Sequence, residues 1–259
     1  MALLLRRMWM LNDSSRFDVK ASANGGCFFS LNCAKHISMK LFFFSIVVLL
    51  MTSFVSQKKT KVIFFGDSIT QAGVQAGGYI VRVDSMCKLE GSGDNYEFIG
   101  AGIGGNKVYD LYLRMENDVL AKTPDVVIIY IGVNDVWHKS TSGTGTDADK
   151  FEKFYQAIID KLKARNIKVI LTTAAAIGEK TDFSNQQDGD MNEYSNIIRR
   201  IAKKNELPVV DLRKMFLDYN IKNNPDNKIK GILTTDGVHL NAKGNQLVAD
   251  EMWKAIKSL

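Results

Sequence analysis

Cysteine and histidine are scarce in this chain of 259 residues. Of the cysteines Cys27, Cys33 and Cys87, only Cys87 lies beyond residue 56, so an internal disulfide is excluded there and that part of the fold depends on a packed core. The same part contains two histidines, His138 and His239, and no cysteine–histidine cluster with metal-site spacing. We therefore expect no metal ion.

A hydrophobic run long enough to cross a membrane is also missing. The uncharged apolar stretch 41–55 is short for a membrane-spanning helix, which needs about 20 residues. It is typical of the apolar core of a signal peptide that starts at Met39. We expect residues 1–38 to be an upstream extension or a mis-assigned start, 39–56 a signal peptide, and 57–259 a secreted or periplasmic domain. If the segment is not cleaved, it becomes an N-terminal membrane anchor.

The excess of positive charge is concentrated near the N-terminus. The net charge is +6, but residues 1–56 hold six Lys/Arg and two acidic residues, leaving 28 basic and 26 acidic residues in 57–259. Such a balanced domain lacks the strong positive charge that nucleic-acid binding requires. We expect no nucleic-acid partner and no stable membrane insertion of the cleaved protein; the oligomeric state stays open.

Apolar runs alternate with helical patterns from residue 61 onward. The run 126–131 lacks polar alternation, which indicates a strand buried on both faces, and 151–162 carries an apolar stripe of helical period. Strands are predicted at 62–65, 96–99, 126–131, 168–173 and 207–210, and helices at 79–89, 108–120, 151–162, 191–204 and from Asn241; 138–147 and 178–190 are predicted loops. This order predicts a three-layer α/β/α sandwich with a five-stranded, mostly parallel sheet. Ligands bind at the carboxyl ends of such strands.

The first predicted strand is followed by Gly66-Asp67-Ser68-Ile69-Thr70. A serine at a strand-to-helix turn can direct its hydroxyl into the crevice, although an ordinary helix N-cap has the same pattern. The motif lacks the second glycine of G-x-S-x-G, which argues against an α/β-hydrolase elbow.

Two further motifs follow the second and third strands. Gly102-Ile103-Gly104-Gly105-Asn106 allows close approach of backbone N–H groups, but a simple turn would look alike, and its spacing does not match a dinucleotide fingerprint. Gly132-Val133-Asn134-Asp135 places two amide donors at the mouth of a buried strand, or a capping asparagine.

The last motif is Asp236-Gly237-Val238-His239, shortly before the C-terminal helix. A carboxylate three residues before a histidine can accept its Nδ1–H and leave Nε2 free as a base.

Together, these four motifs resemble the SGNH hydrolase family, also called GDSL esterases and lipases, over about residues 61–257. Ile69 replaces the usual leucine, and Gly100 stands where the second block often has asparagine. That second difference leaves Gly104 as a rival to Gly105 for the role of amide donor.

The resemblance implies a nucleophile, Ser68, a base, His239, and an orienting carboxylate, Asp236, with no cofactor. It also implies an oxyanion site formed by the backbone N–H groups of Ser68 and Gly105 and the side-chain amide of Asn134.

Four further residues lie in or near these motifs and have predicted roles in substrate access or loop structure. Trp137 and His138 are candidates for the substrate entrance, with His138 as a rival base. Asp67 and Asp135 are expected to hold the loops through local hydrogen bonds.

The function implied by the resemblance is hydrolysis of carboxylic esters by a secreted enzyme, on short acyl groups such as those of acetylated carbohydrate. A lysophospholipase or thioesterase is the alternative on the same machinery, and an acyltransferase differs only in its acceptor. A non-catalytic carbohydrate-binding module is the alternative from another class.

Overall fold

The computed structural model describes residues 58–259, whereas the predicted signal peptide and upstream extension lie outside the described residues. Five parallel strands form one sheet in the order β2-β1-β3-β4-β5. They are β1 Thr60–Gly66, β2 Tyr96–Gly102, β3 Val126–Tyr130, β4 Lys168–Thr172 and β5 Val209–Val210. The predicted five-stranded α/β fold is confirmed, and every strand pair in this sheet is parallel.

The two central strands are buried on both faces, as their unbroken apolar sequences indicate. Val62 to Phe65 of β1 are fully buried, and every residue of β3 is buried. Their register pairs Val62 with Val126 and Gly66 with Tyr130, so both strands end at the same edge of the sheet. This edge receives the loops that carry the sequence motifs.

Helices cover both faces of the sheet. They are α1 Ser68–Gly73, α2 Tyr79–Leu89, α3 Val108–Asp118, α4 Val133–Thr141, α5 Ala148–Lys163, α6 Asp188–Asn205, α7 Leu212–Asn223 and α8 Ala242–Lys257. Helix α2 packs against α8, while α3, α5 and α6 pack together as a second group. The apolar stripe of α5 is buried from Phe151 to Leu162, as its helical spacing predicts.

Several elements differ from the sequence expectation. Helix α4 has no counterpart among the predicted helices and extends to Thr141 into the predicted loop 138–147. The hydroxyls of Ser140 and Thr141 donate to the Trp137 carbonyl and satisfy a group of its last turn. Strand β5 has two residues, not four, because Val209–Val210 alone pairs with β4. Helix α7 has no counterpart in the prediction, because its buried face mixes apolar and polar side chains.

No helix within residues 58–259 combines the length and apolarity needed to cross a bilayer. Cys87 is fully buried in α2, as expected of a packed core side chain.

Candidate active site

Ser68 is the first residue of α1 and lies two residues after Gly66, the last residue of β1. Asp67 caps this helix, and its Oδ1 accepts the Ile69 N–H at 2.9 Å. Ser68 is therefore half-buried at a helix N-terminus, where backbone N–H groups favour negative charge. The Ser68 Oγ lies 2.9 Å from Nε2 of His239, 171 residues later in the chain.

Asp236 fixes the imidazole of His239 from the other side. Its Oδ2 lies 2.7 Å from Nδ1 of His239, and its Oδ1 accepts the N–H groups of Val238 and His239 at 2.9 and 2.8 Å. Partial burial acts to raise the pKa of Asp236, but the hydrogen bonds from His239 and Val238 outweigh it and hold this pKa below its ordinary value. An ionised carboxylate only accepts hydrogen bonds, so this contact favours the neutral tautomer with the proton on Nδ1 and the Nε2 lone pair toward the Ser68 hydroxyl.

The two rival glycines differ in what their N–H groups do. Gly104 donates its N–H to Oε1 of Gln71 at 2.8 Å. Gly105 has a positive φ of 75°, a conformation that glycine adopts without steric cost. Because the Gly104 donor is engaged, the arrangement favours Gly105 as the amide donor toward a ligand.

Asn134 lies in the first turn of α4 and is 3% exposed. Its Nδ2 donates to the Asn106 carbonyl at 3.1 Å, which orients the side-chain amide. One of the two Nδ2 hydrogens is sufficient for this bond, so the second remains available to a ligand.

Trp137 and His138 lie later on α4, with ring centroids 6.1 Å apart. Partial burial and the nearby Lys107 charge lower the pKa of His138. Among the described residues, His138 has no carboxylate bonded to its ring, unlike His239. The structure therefore brings His239, rather than His138, into the arrangement expected of a base.

Asp67 and Asp135, the sequence neighbours of Ser68 and Asn134, are both buried. Burial raises the pKa of Asp67 to about 7, with a contribution from the charge of Asp135. Burial likewise raises the pKa of Asp135 to about 6, although the Val108 N–H donates to this carboxylate and opposes the shift. Asp67 bonds local backbone, as expected, whereas the backbone partner of Asp135 is Val108, 27 residues earlier in the chain. Both carboxyl groups retain protons more readily than ordinary aspartates.

Glu179 was missed by the sequence analysis. This buried side chain follows β4, and its carboxylate accepts the N–H groups of Ile232, Leu233 and Thr234 at 2.6 to 2.9 Å. The adjacent Gly178 donates its N–H to the Gly237 carbonyl at 2.9 Å. The segment after β4 thus anchors the loop that carries Asp236 and His239. A single glutamate in a polar stretch carries no local signal of this role.

Two cavities are relevant to ligand binding. A cavity of about 280 Å³ borders Asp236 and Trp137 at the carboxyl edge of the sheet. A larger one of about 610 Å³ is lined by Thr60, Tyr96 and Lys168, at the opposite edge where the strands begin. The smaller cavity is the better candidate, since ligands of parallel sheets bind at the carboxyl edge. Within residues 58–259, no three histidine, cysteine or acidic side chains form a metal-binding cluster.

Comparisons with known proteins identify the family of this chain. The model of the GDSL-like lipase/acylhydrolase family matches residues 64–247. An acetylxylan esterase of Geobacillus stearothermophilus is 28% identical over 207 residues, which cover 73% of this chain and 90% of that protein. An uncharacterized lipoprotein of Bacillus subtilis, YqeF, is 26% identical over 172 residues, covering 60% of this chain and 71% of that protein.

Solved structures also match. The crystal structure of an acetyl xylan esterase, AlAXEase, is 68% identical, with a TM-score of 0.75 over 76% of this chain and 99% of that chain. The family model and this relative each match well over half of the chain. The chain therefore belongs to the GDSL-like lipase/acylhydrolase family and is a carboxylic ester hydrolase.

Proposed function

We propose that this enzyme is an exported serine esterase that removes acetyl groups from acetylated glycans such as xylan. The single observation that carries the proposal is the hydrogen-bonded chain from the Ser68 hydroxyl through His239 to Asp236. Such a chain activates a hydroxyl as a nucleophile in serine hydrolases.

In the first half-reaction, Ser68 Oγ attacks the ester carbonyl carbon while His239 Nε2 takes the hydroxyl proton. Asp236 stabilises the resulting imidazolium. The carbonyl oxygen becomes an oxyanion, which accepts hydrogen bonds from the N–H groups of Ser68 and Gly105 and from Nδ2 of Asn134. When the carbon–oxygen bond to the alcohol breaks, His239 returns its proton to the leaving oxygen and the acyl group stays on Ser68.

In the second half-reaction, His239 takes a proton from water, and the hydroxide formed attacks the acyl-enzyme. The tetrahedral intermediate uses the same three donors. Its collapse releases the carboxylic acid, and the proton on His239 returns to the Ser68 oxygen. All bonds and protons balance with groups of this chain and water.

The acetylated glycan is proposed from the relatives. Both an acetylxylan esterase at 28% identity and an acetyl xylan esterase structure at 68% identity match nearly the whole of their own lengths to this chain. Export is proposed from the uncharged stretch 41–55, and one relative is described as a lipoprotein.

The test combines a covalent probe with two substrates. The unaltered enzyme should react with a fluorophosphonate probe and release acetate from both p-nitrophenyl acetate and acetylated xylo-oligosaccharides. Ser68→Ala should lose labelling and lower kcat by about 10⁶. Ser85→Ala, an exposed serine on α2, should keep both.

Two outcomes would contradict the proposal separately. Labelling that persists in Ser68→Ala rules out Ser68 as the nucleophile. A preference for long-chain acyl esters or lysophospholipids over the acetylated sugars rules out the substrate class but leaves the nucleophile intact.

A further inference from the structure

The cavity beside Asp236 is walled by an aromatic ring and by polar side chains. Trp137 of α4 forms one wall, Gly237 forms another, and Ser184, Asn185 and Gln187 come from the segment between β4 and α6. Gln187 Nε2 donates to the Ser140 hydroxyl of α4, which links that segment to the helix. An apolar surface with a few oriented polar groups is typical of a small-molecule subsite.

Phe183, directly before Ser184, has two unfavourable features at once. Its side chain is 83% exposed, and its φ of 63° places it in the left-handed region that aromatic residues rarely adopt. Neither feature contributes to core packing. Strained residues of this kind concentrate at ligand-binding positions, where the surrounding structure maintains them.

The segment around Phe183 is held by side-chain hydrogen bonds on both sides. Oδ1 of Asp182 accepts the Ser184 N–H at 3.0 Å and its hydroxyl at 2.6 Å. Asn185 accepts the Lys180 N–H and donates to the Lys180 carbonyl. These bonds hold the strained backbone with the Phe183 ring exposed, and the next residue along the chain, Ser184, lines the cavity.

We propose that this cavity, with Phe183 at its rim, binds a sugar ring of the alcohol half of the ester, so that a neighbouring acetylated sugar lies over Ser68. The inference rests on the proposed function and extends it to a glycan subsite. A pyranose ring has apolar C–H faces that pack on aromatic rings such as Phe183 and Trp137, and hydroxyls that bond amides such as that of Gln187.

The test compares two substrates that share the acetyl group and differ in the alcohol: acetylated xylo-oligosaccharides and p-nitrophenyl acetate. Phe183→Asn removes the ring but suits a left-handed backbone, so its melting temperature should equal or exceed that of the unaltered enzyme. For this variant, kcat/KM for the oligosaccharide divided by kcat/KM for p-nitrophenyl acetate should fall about three- to tenfold. The fall should come from a higher KM for the oligosaccharide.

Two further variants make the result specific. Phe183→Tyr keeps the ring and should keep the ratio. Leu89→Ala removes another exposed apolar side chain, 88% exposed at the end of α2, where the strands begin, and should change neither substrate.

An unchanged ratio in Phe183→Asn, with both substrates still hydrolysed, overturns the subsite and leaves the proposed function standing. Failure of the unaltered enzyme to act on the acetylated oligosaccharide, with p-nitrophenyl acetate still hydrolysed, overturns the glycan substrate and the subsite together.

Discussion

Asp67 shows how a single buried side chain can make stability depend on pH. Its pKa is about 7 in the folded protein against 3.8 ordinarily, chiefly through burial. Between pH 4 and 7 the folded state therefore binds more protons than the unfolded state, so the free energy of unfolding falls as the pH rises through this window. The stabilising contribution of the protonated group is complete only below the unfolded pKa.

Asp67→Asn should remove much of this dependence. Asparagine can still accept the Ile69 N–H and carries no charge, so the variant should gain about 1–4 kcal/mol over the unaltered enzyme at pH 8 and little at pH 4. Urea denaturation at pH 4, 6 and 8 measures the difference. The control Asp149→Asn, at an exposed position, should change the free energy of unfolding by no more than about 0.5 kcal/mol at each pH. If the free energy of unfolding of Asp67→Asn depends on pH as steeply as that of the unaltered enzyme, burial of Asp67 does not explain the dependence.

Asn134 is expected to act on kcat rather than on KM. An oxyanion donor stabilises charge that develops only in the transition state, so Asn134→Ala should lower kcat about 10²–10³-fold with a small change in KM. Steady-state kinetics with p-nitrophenyl acetate measure both constants. Asn196→Ala, on the exposed face of α6, is the matched control. A pure rise in KM for Asn134→Ala contradicts the assignment.

At the scale of secondary-structure elements, the segment after β4 supports the loop before α8. Three consecutive N–H groups of that loop donate to the Glu179 carboxylate. Among the described residues, no lysine or arginine forms an ion pair with it. Two further bonds, Gly178 N–H to Gly237 and Gly237 N–H to the Thr234 hydroxyl, fix the turn between Asp236 and His239. We therefore expect Glu179 to be a positioning residue that acts on His239 through the loop.

Glu179→Gln replaces one acceptor oxygen by an NH₂ group that faces N–H donors. The free energy of unfolding should fall by about 1–3 kcal/mol. Misplacement of His239 should lower kcat and the rate of fluorophosphonate labelling together, by about 10²-fold, at temperatures where the protein is fully folded.

The matched control for this element is Glu97→Gln, at an exposed position of β2. It should leave stability and kcat unaltered. If Glu179→Gln loses stability but keeps kcat and labelling rate, the contact is structural and does not position His239.

At the scale of the whole molecule, the sheet holds the loops in one place. Strand β3 lies between β1 and β4, and Ile128 at its centre is fully buried. Loss of packing there affects both β1, which leads to Ser68, and β3, which leads to Asn134. Unfolding and loss of activity should therefore occur in one cooperative transition.

A truncation series tests this coupling. Ile128→Val should cost about 0.5–1.5 kcal/mol and Ile128→Ala about 2–5 kcal/mol, whereas Ile221→Ala, 62% exposed on α7, should stay within about 0.5 kcal/mol. Urea titrations followed by fluorescence and by residual activity should coincide. Activity lost well before fluorescence would indicate that the site unfolds separately from the sheet.

The alternation of strands and helices and the candidate site residues could be predicted from local patterns. Buried parallel strands have unbroken apolar sequences, and α5 has a 3.6-residue apolar period, so 126–131 and 151–162 were identified by packing rules that act over a few residues. Asp236 and His239 lie three residues apart, so their contact was within the reach of local reasoning. Helix α7 was missed because its buried Arg213 and Asn220 break the apolar period.

The remaining features depend on contacts between residues that are far apart in the sequence. The bond from Ser68 to His239 spans 171 residues, and those from Glu179 to the loop before α8 span 53 to 55, so no sequence window contains either pair. The choice between Gly104 and Gly105 depends on the position of Gln71, and the raised pKa of Asp67 depends on complete burial. Burial and partner identity are properties of the packed chain, and they convert a set of candidate side chains into groups with defined protonation and direction.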